Sequence, residues 1–540
     1  MSKSRRAFLQ QASAFGLMAR PGAALFGERP HAMQEPMMKP VWATPAKPML
    51  HVLELPPFVD ALPLPEKAPL VHSAKGTKKL QIRMREIHVP VHRDLPPTRM
   101  WSYGDTALAP LIEARAHQPI EIEWVNDLPA THFLPVDHSL HGCGRELPEV
   151  RAIAHVHGAR VPRKDDGYPD DWFAPGKSLT CHYPLKQDAT ALWYHDHAMG
   201  LSRLNVYAGL FGMFLIRDEA EDRLGLPSGK YEVPLIFYDR DFSNDGQFFY
   251  PTSGDPEHPW VSEFAGDAIL INGKIRPYFE IEPRLYRFRM VNVANSRFFR
   301  LSVAETGRGT VAMPLRVIGG DQGMLEAPAE MKVVTFAPGE RVDVLVDFSG
   351  AAGKKVYLRN GALEVMEFRV GGPTTEAGSV PAVLRKMDRL QESSAVKTRT
   401  VTLNEYRDKV GNSMVMLLNR MHWHEPVTET PRLNTTEIWE FVNLTEDVHP
   451  MHLHLVRFQI LDRRTFDTFE YIMHKELKFT APAVKPEAWE AGWKDVVQCS
   501  AGVITRVLIR FEGYTGKYLY HCHILEHEAN DMMRPFEVVS

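Results

Sequence analysis

The sequence predicts an all-β protein built of Greek-key β-sandwich or barrel domains. Three observations predict this class. Short stretches alternate apolar and polar residues with a period of two, long amphipathic helical patterns are scarce, and Gly and Pro interrupt the chain often. Two linker-like stretches also divide the 540 residues into pieces that are each long enough for one sandwich.

Candidate strands follow one another from about residue 78. The clearest are residues 79–84, 120–125, 342–347 and 506–511, where side chains two positions apart would share one face of a sheet. Residues 384–390 are an exception, because their pattern favours a short helix.

The linkers define three segments after an N-terminal leader. Residues 217–230 are charged and end in Leu-Pro-Ser-Gly, and residues 371–399 begin with Gly-Gly-Pro. We therefore predict a leader (1–40), a first segment (41–220), a middle segment (221–385) and a last segment (386–540).

The leader has the features of an export signal. Lys3, Arg5 and Arg6 precede a modest apolar stretch, and no acidic residue occurs before Glu28. This pattern resembles a twin-arginine signal and predicts export, to the periplasm in a bacterium. A disordered basic N-terminus is the alternative.

Composition excludes several classes of protein. Lys and Arg number 63 against 67 Asp and Glu, a formal charge of −4, whereas nucleic-acid binders usually carry a basic excess. No apolar run reaches the ~18 residues of a membrane span. Four cysteines are too few for a disulfide scaffold.

Histidines are concentrated in four tight groups. Two groups lie in the first segment and two in the last, while the middle segment contains only His258. Ten of the 24 histidines belong to them: His155, His157, His195, His197, His449, His452, His454, His521, His523 and His527. On a strand, each His-x-His pair would offer two imidazoles to one metal region.

The stretch from His521 to His523 is the most informative. Its two histidines would face one way and Cys522 the other, which predicts two metal centres joined through one residue of backbone. A thiolate, two imidazoles and a weak thioether are the ligands of a blue-copper centre. His449, His527 and Met532 are candidate partners of Cys522, although spacing alone leaves Met533 open as the thioether. The eight other histidines would surround a second site with several coppers.

These motifs resemble those of the multicopper oxidases, and within that family the branch of bacterial spore-coat laccases and bilirubin oxidases. The resemblance covers about residues 50–540. The matching stretches are residues 131–135, 155–158, 166–169, 192–199, 203–209, 449–454 and 521–528. The resemblance implies three cupredoxin-like domains, with a trinuclear copper cluster between the first and the third.

The family pattern also implies a ligand set for four copper ions. A type 1 copper would be bound by His449, Cys522, His527 and Met532, and a type 2 copper by His155 and His452. Two type 3 coppers would share the remaining ligands, which are His157, His195, His197, His454, His521 and His523. One chain supplies every ligand, so a monomer suffices.

The implied reaction oxidises phenols, aryl amines or bilirubin-like pigments by one electron each and reduces O2 to water. Two acids match family positions that would serve it: Glu528 near the dioxygen site and Asp166 near the type 2 copper. Ordinary salt-bridge or turn roles are the alternative for both. Asp196, between two ligands, is expected to face away from the metals.

Other interpretations stay open on the sequence. A metallo-oxidase acting on Cu(I) or Mn(II) is the main alternative; a non-catalytic relative would lack ligands, and a copper nitrite reductase would need fewer histidines. Cys143 and Cys181 are either a disulfide or two buried thiols. We interpret five further histidines as structural or exposed: His132, His138, His141, His422 and His424.

Overall fold

The computed structural model describes residues 49–69, 71–72, 78–305, 312–374, 378–409 and 411–540. The predicted export signal lies outside these residues. The described strands form six sheets, which confirms the all-β prediction. Within the described residues, no helix is both long and apolar enough to cross a membrane.

The first segment contributes two sheets. One has the order β1-β2-β5-β7 with β3 paired to β2, and the other has the order β4-β9-β8-β6. The strands are β1 (Val71–His72), β2 (Lys78–Val89), β3 (Thr98–Ser102), β4 (Ile112–Arg115), β5 (Ile120–Asn126), β6 (Ala154–His157), β7 (Ser178–Tyr183), β8 (Thr190–Asp196) and β9 (Phe211–Arg217).

The middle segment also contributes two sheets. Their orders are β13-β12-β10-β15-β21-β18-β19, with β11 on β10, and β14-β23-β22-β16-β17, with β20 on β16. The strands are β10 (Glu232–Phe242), β11 (Phe248–Phe249), β12 (Ala268–Ile271), β13 (Lys274–Ile275), β14 (Tyr278–Ile281), β15 (Leu285–Asn292), β16 (Phe299–Ala304), β17 (Ala312–Met313), β18 (Leu315–Gly320), β19 (Gly323–Met331), β20 (Val334–Phe336), β21 (Arg341–Asp347), β22 (Lys355–Asn360) and β23 (Leu363–Val370).

The last segment forms the remaining two sheets, with the orders β25-β24-β26-β30-β28 and β29-β27-β31-β32. The strands are β24 (Ala395–Arg407), β25 (Ser413–Leu418), β26 (Thr436–Asn443), β27 (His449–Leu453), β28 (Phe458–Thr465), β29 (Val496–Cys499), β30 (Val503–Arg510), β31 (Gly516–Cys522) and β32 (Met533–Val538).

Helices are short and lie at the ends of strands. The described α-helices are α1 (Ser202–Ala208), α2 (Glu219–Asp222), α3 (Thr468–His474) and α4 (Leu525–Ala529). The helix predicted at 384–390 is wrong, because this stretch has no regular secondary structure. The side chains of Leu384 and Met387 are buried there, so the apolar spacing reflects anchoring of an irregular linker rather than a helical face.

Candidate metal centres

Two strand pairs bring the predicted ligands together. In the first segment β6 pairs antiparallel with β8, and His155 lies opposite His195. In the last segment β27 pairs antiparallel with β31, and His452 lies opposite His521. Because alternate residues of a strand share a face, each pairing places the imidazoles of two His-x-His motifs on the same side.

Eight histidines form one buried group, which we call the imidazole cluster: His155, His157, His195, His197, His452, His454, His521 and His523. Rings from the first and last segments stack directly, with centroids 3.9 Å apart for His155 and His454 and 3.7 Å apart for His157 and His452. Several triplets of these histidines have donor nitrogens within 4.8 Å of one another. Two of these triplets combine histidines of the first and the last segment, so part of the cluster's metal-binding capacity depends on both segments.

The hydrogen bonds of the cluster leave one nitrogen of most rings free. The Nδ1 atoms of His195 and His521 donate to the carbonyl oxygens of Asp196 and Cys522, each over 2.9 Å. Nitrogens without a hydrogen-bond partner in the described structure are Nε2 of His155, His195, His452 and His454, Nδ1 of His157 and His197, and both nitrogens of His523. Buried polar atoms are rarely left unpaired, and here the inward nitrogens fit metal ions.

Burial also sets the protonation of these rings. Desolvation lowers the pKa of His155 to about 4 and that of His523 to about 3. The neutral imidazole that results carries the lone pair needed to bind a metal ion.

A second centre, which we call the sulfur site, is formed by His449, Cys522 and His527. The Sγ atom of Cys522 lies 3.5 Å from Nδ1 of His449 and 3.6 Å from Nδ1 of His527. The two Nδ1 atoms are 3.2 Å apart, and all three side chains are buried. A thiolate with two converging imidazole nitrogens is the donor set that suits copper.

The fourth ligand predicted from the sequence also lies at the sulfur site. The backbone of Met532 bonds to both Cys522 and His527, and its side chain is buried in the same apolar cluster as Cys522. Met533 pairs with His521 in the sheet, and its side chain packs in a different cluster with Tyr168. The structure therefore favours Met532 over Met533 as the thioether neighbour of Cys522.

Both predicted acids contact the imidazole cluster. The Nδ1 atom of His454 donates to Oδ2 of Asp166 over 2.8 Å. The Oε2 atom of Glu528 lies 3.3 Å from Nδ1 of His521, and Ser202 Oγ donates to its Oε1 over 2.5 Å. Desolvation raises the pKa of Glu528 to about 8, so this carboxyl can hold a proton near neutral pH.

Asp196 is directed toward backbone rather than toward the metal ligands' free nitrogens. Its carboxylate accepts the N–H groups of Ile153 and Ala198, each over 3.0 Å, and the amide of Asn205 over 2.8 Å. These bonds tie the strand that bears His195 to the loops on either side.

Residues of the middle segment, which no sequence motif singled out, brace the cluster. Arg341 and Gln322 both bind the buried carboxylate of Asp495, which in turn accepts Nε2 of His157 over 3.1 Å. Gly339 adopts a φ of +85°, and a β-carbon there would lie 2.7 Å from the ring of His523. The histidine-poor segment thus supports the site without supplying a ligand, and no sequence motif marked these residues.

His132, His424, Cys143 and Cys181 belong to neither donor set. His132 is buried and bonds to Asn205 over 3.2 Å, whereas His424 is exposed. Cys143 and Cys181 are both free and buried, so the structure has the two thiols rather than the disulfide.

The fold and the two donor sets define a metalloprotein in which a thiolate–imidazole centre adjoins an imidazole cluster. Two family models described as multicopper oxidase match residues 393–540 and 146–221. A laccase of Bacillus subtilis (strain 168) is 42% identical, covering 89% of this chain and 98% of that protein. A laccase of Bacillus stratosphericus is 41% identical, covering 90% of this chain and 100% of that protein.

Solved structures agree with this relationship. The crystal structure of the McoA multicopper oxidase from the hyperthermophile Aquifex aeolicus matches with a TM-score of 0.74 at 28% identity, covering 89% of this chain and 99% of that one. The chain belongs to the multicopper oxidase family, and it is a copper-dependent oxidoreductase with the all-β cupredoxin fold expected from the sequence.

Proposed function

We propose that the protein is a laccase-type oxidase that takes single electrons from phenols, aryl amines or bilirubin-like pigments and reduces O2 to water. The observation that carries this proposal is the position of Cys522 at the end of β31, directly between two histidines of the imidazole cluster. Copper, when bound, would supply one-electron oxidation at the sulfur site and four-electron reduction of O2 at the cluster.

The ligand assignment supports four copper ions. His449, Cys522, His527 and Met532 would hold the type 1 ion. His155 and His452 would hold the type 2 ion, since both belong to one triplet of converging nitrogens. The other ligands, for the two type 3 ions, would be His157, His195, His197, His454, His521 and His523.

Forming two waters consumes four protons. We assign the supply of these protons to carboxyl groups of the chain. Glu528, whose raised pKa allows it to hold a proton near neutral pH, lies beside His521 and accepts a hydrogen bond from Ser202, which fixes its orientation. Asp166 orients His454 and, through its carbonyl oxygen, His155. We assign Glu528 to proton transfer and Asp166 to positioning of the ligands with a second share in proton supply.

Electrons would enter at the edge of His527. The Nε2 atom of His527 lies 3.8 Å from Oε2 of Glu263, whose side chain is 23% exposed. Desolvation, together with repulsion from Asp447, raises the pKa of Glu263 to about 8. A carboxyl at this edge would accept a hydrogen bond from a phenol O–H or an amine N–H, which suits the proposed reductants.

The same carboxyl favours the second candidate function, a metallo-oxidase acting on Cu(I) or Mn(II), because its oxygens could bind a cation once the proton is lost. The two functions separate when purified protein is given a phenol or Cu(I), each with and without added Cu(II). Phenol turnover that proceeds without added Cu(II) supports the laccase-type function. Strict dependence of phenol turnover on added Cu(II) supports the metallo-oxidase.

The organisation of the chain follows from the same proposal. We propose three cupredoxin domains at 41–220, 221–385 and 386–540, with the trinuclear cluster between the first and the third. A monomer supplies every ligand. Export by the twin-arginine route to the periplasm would suit a protein that folds around its metal before crossing a membrane.

The deciding experiment is a visible spectrum with a copper count on purified, copper-loaded protein. We expect an intense thiolate-to-copper band and about four coppers per chain. Cys522→Ser should abolish the band and the phenol activity and lose about one copper. Cys181→Ser, at a buried cysteine that belongs to neither donor set, should keep them. A colourless wild-type protein, or one that binds a single metal ion per chain, would contradict the proposal.

A further inference from the structure

Three histidines outside the two centres lie side by side at the surface. We call His141, His422 and His424, together with Asp531, the surface histidine cluster. His141 belongs to the first segment, and the other three residues belong to the last. None of these residues takes part in the function proposed above.

The turn that carries two of the histidines explains why they share a side. Trp423, between them, is buried against Tyr168, and its Nε1 donates to Asp170 over 3.3 Å. With the indole anchored inward, the flanking side chains of His422 and His424 project outward together. His424 is exposed and His422 keeps 44% of its side-chain surface.

The spacing of these rings resembles that of the interior ligands. Ring centroids are 6.0 Å apart for His422 and His424 and 5.7 Å apart for His141 and His424. Within the imidazole cluster the corresponding distance is 5.8 Å for His157 and His195. The surface rings are nearly parallel, at 16° and 26°. His424, the exposed ring of the three, lies next to both others, so rotation of its side chain would direct a nitrogen toward an ion shared with them.

A carboxylate orients one of the three imidazoles. Oδ2 of Asp531 lies 2.6 Å from Nδ1 of His422, and the Asp531 side chain is only 12% exposed. This bond fixes the ring and directs Nε2 of His422 away from the carboxylate. A carboxylate behind an imidazole is the usual partner of a metal-ligating histidine.

We propose that the surface histidine cluster binds one divalent transition-metal ion such as Zn²⁺, with His141, His422 and His424 as ligands and Asp531 as the positioning residue. Three imidazoles suit zinc, copper and nickel ions. The bound ion would tie the first segment to the last. It would also hold the turn that leads into Met532, since Asp531 directly precedes that residue.

The test uses the full, copper-loaded chain and Zn²⁺ as the probe, with bound zinc and copper counted after equilibrium dialysis. We expect one zinc per chain beyond the copper, lost in the double variant His422→Asn/His424→Asn. Asp531→Asn should weaken zinc binding by about 10- to 100-fold. His141→Asn should weaken it as well, because this ligand comes from the other segment.

A matched control is His182→Asn. His182 is 53% exposed and lies 3.1 Å from a carboxylate oxygen of Glu121, so it reproduces a surface histidine–carboxylate pair without neighbouring imidazoles. This variant should bind zinc as the wild type does. An unchanged copper count will show that each variant is folded. Wild-type protein without the extra zinc, or equal zinc binding by the double variant, overturns the proposal.

Discussion

The guanidinium of Arg341 donates two hydrogen bonds, of 2.7 and 2.5 Å, to the carboxylate of Asp495. Both side chains are fully buried. The carboxylate also accepts Nε2 of His157, and the carbonyl oxygen of Asp495 accepts Nδ1 of His452. The middle segment therefore fixes the orientation of two histidines that lie in the other two segments.

Arg341→Ala should destabilise the protein and lower the amount of copper bound at the imidazole cluster. Removing one partner of a buried ion pair leaves an uncompensated charge, so we expect a loss of about 3–5 kcal/mol in the free energy of unfolding. Denaturant titration and copper analysis measure the two effects. Arg389→Ala is the matched control, because its pair with Glu326 is 47% and 43% exposed and should contribute no more than about 1 kcal/mol. Equal effects of the two substitutions would contradict the bracing role.

Met532→Leu should raise the reduction potential of the sulfur site. Loss of a weak thioether ligand leaves the copper with less electron donation, and the volume is nearly conserved, so the fold should tolerate the change. A redox titration followed through the visible band measures the potential. Met533→Leu should leave the potential unchanged, because Met533 packs beside Tyr168 instead. A shift in the Met533 variant alone would reverse the ligand assignment.

Glu528→Gln should slow O2 reduction without blocking electron uptake. An amide cannot deliver a proton as the carboxyl beside His521 can, and general-acid groups contribute about 10²–10⁴-fold. Oxygen consumption should fall by about 10²-fold, while anaerobic bleaching of the visible band by a phenol continues at the wild-type rate.

Glu526→Gln is the control for that substitution. Glu526 is equally buried, but its oxygens accept from Tyr250, Asn295 and Ser296. Its variant should keep oxygen consumption within a few-fold of the wild type. If the two variants lose activity alike, the loss comes from replacing any buried carboxyl in this helix and not from a role of Glu528 in proton transfer.

Acid should weaken the middle segment through Glu232. Burial opposes ionisation of this carboxyl, but Arg289, Arg217 and Arg287 outweigh burial and lower its pKa to about 2. A pKa below the ordinary 4.5 means that the ionised form is favoured in the folded state. The stabilisation is present above pH 4.5 and is lost as the pH falls toward 2, about 3 kcal/mol in all.

The measurement is the difference in unfolding free energy between wild type and Glu232→Gln from pH 6 to pH 2. The variant should show a flatter dependence across the acid range. Glu330→Gln should retain the wild-type slope, because Glu330 is 65% exposed beside Arg316. Parallel curves for wild type and Glu232→Gln would show that other carboxyls govern the acid response.

Much of the site was predictable because the face on which a strand residue lies depends only on its position along the strand. The His-x-His spacing predicted paired ligands, and the structure brings His155 opposite His195 and His452 opposite His521. The roles of Ser202 and Glu263 were not predictable, since each meets its partner only after distant parts of the chain pack together. The helix predicted at 384–390 failed for a related reason: its buried side chains are anchored by other segments.

The sequence by itself determined the strand pattern, the donor types and the two-sided arrangement around Cys522, because these depend on the period of a strand and on side-chain chemistry. Tertiary structure put the side chain of Met532, and not that of Met533, in the apolar cluster of Cys522, joined the histidines of the first and last segments, and placed Arg341 behind Asp495. Those choices depend on contacts between residues far apart in the chain, and no local spacing records them.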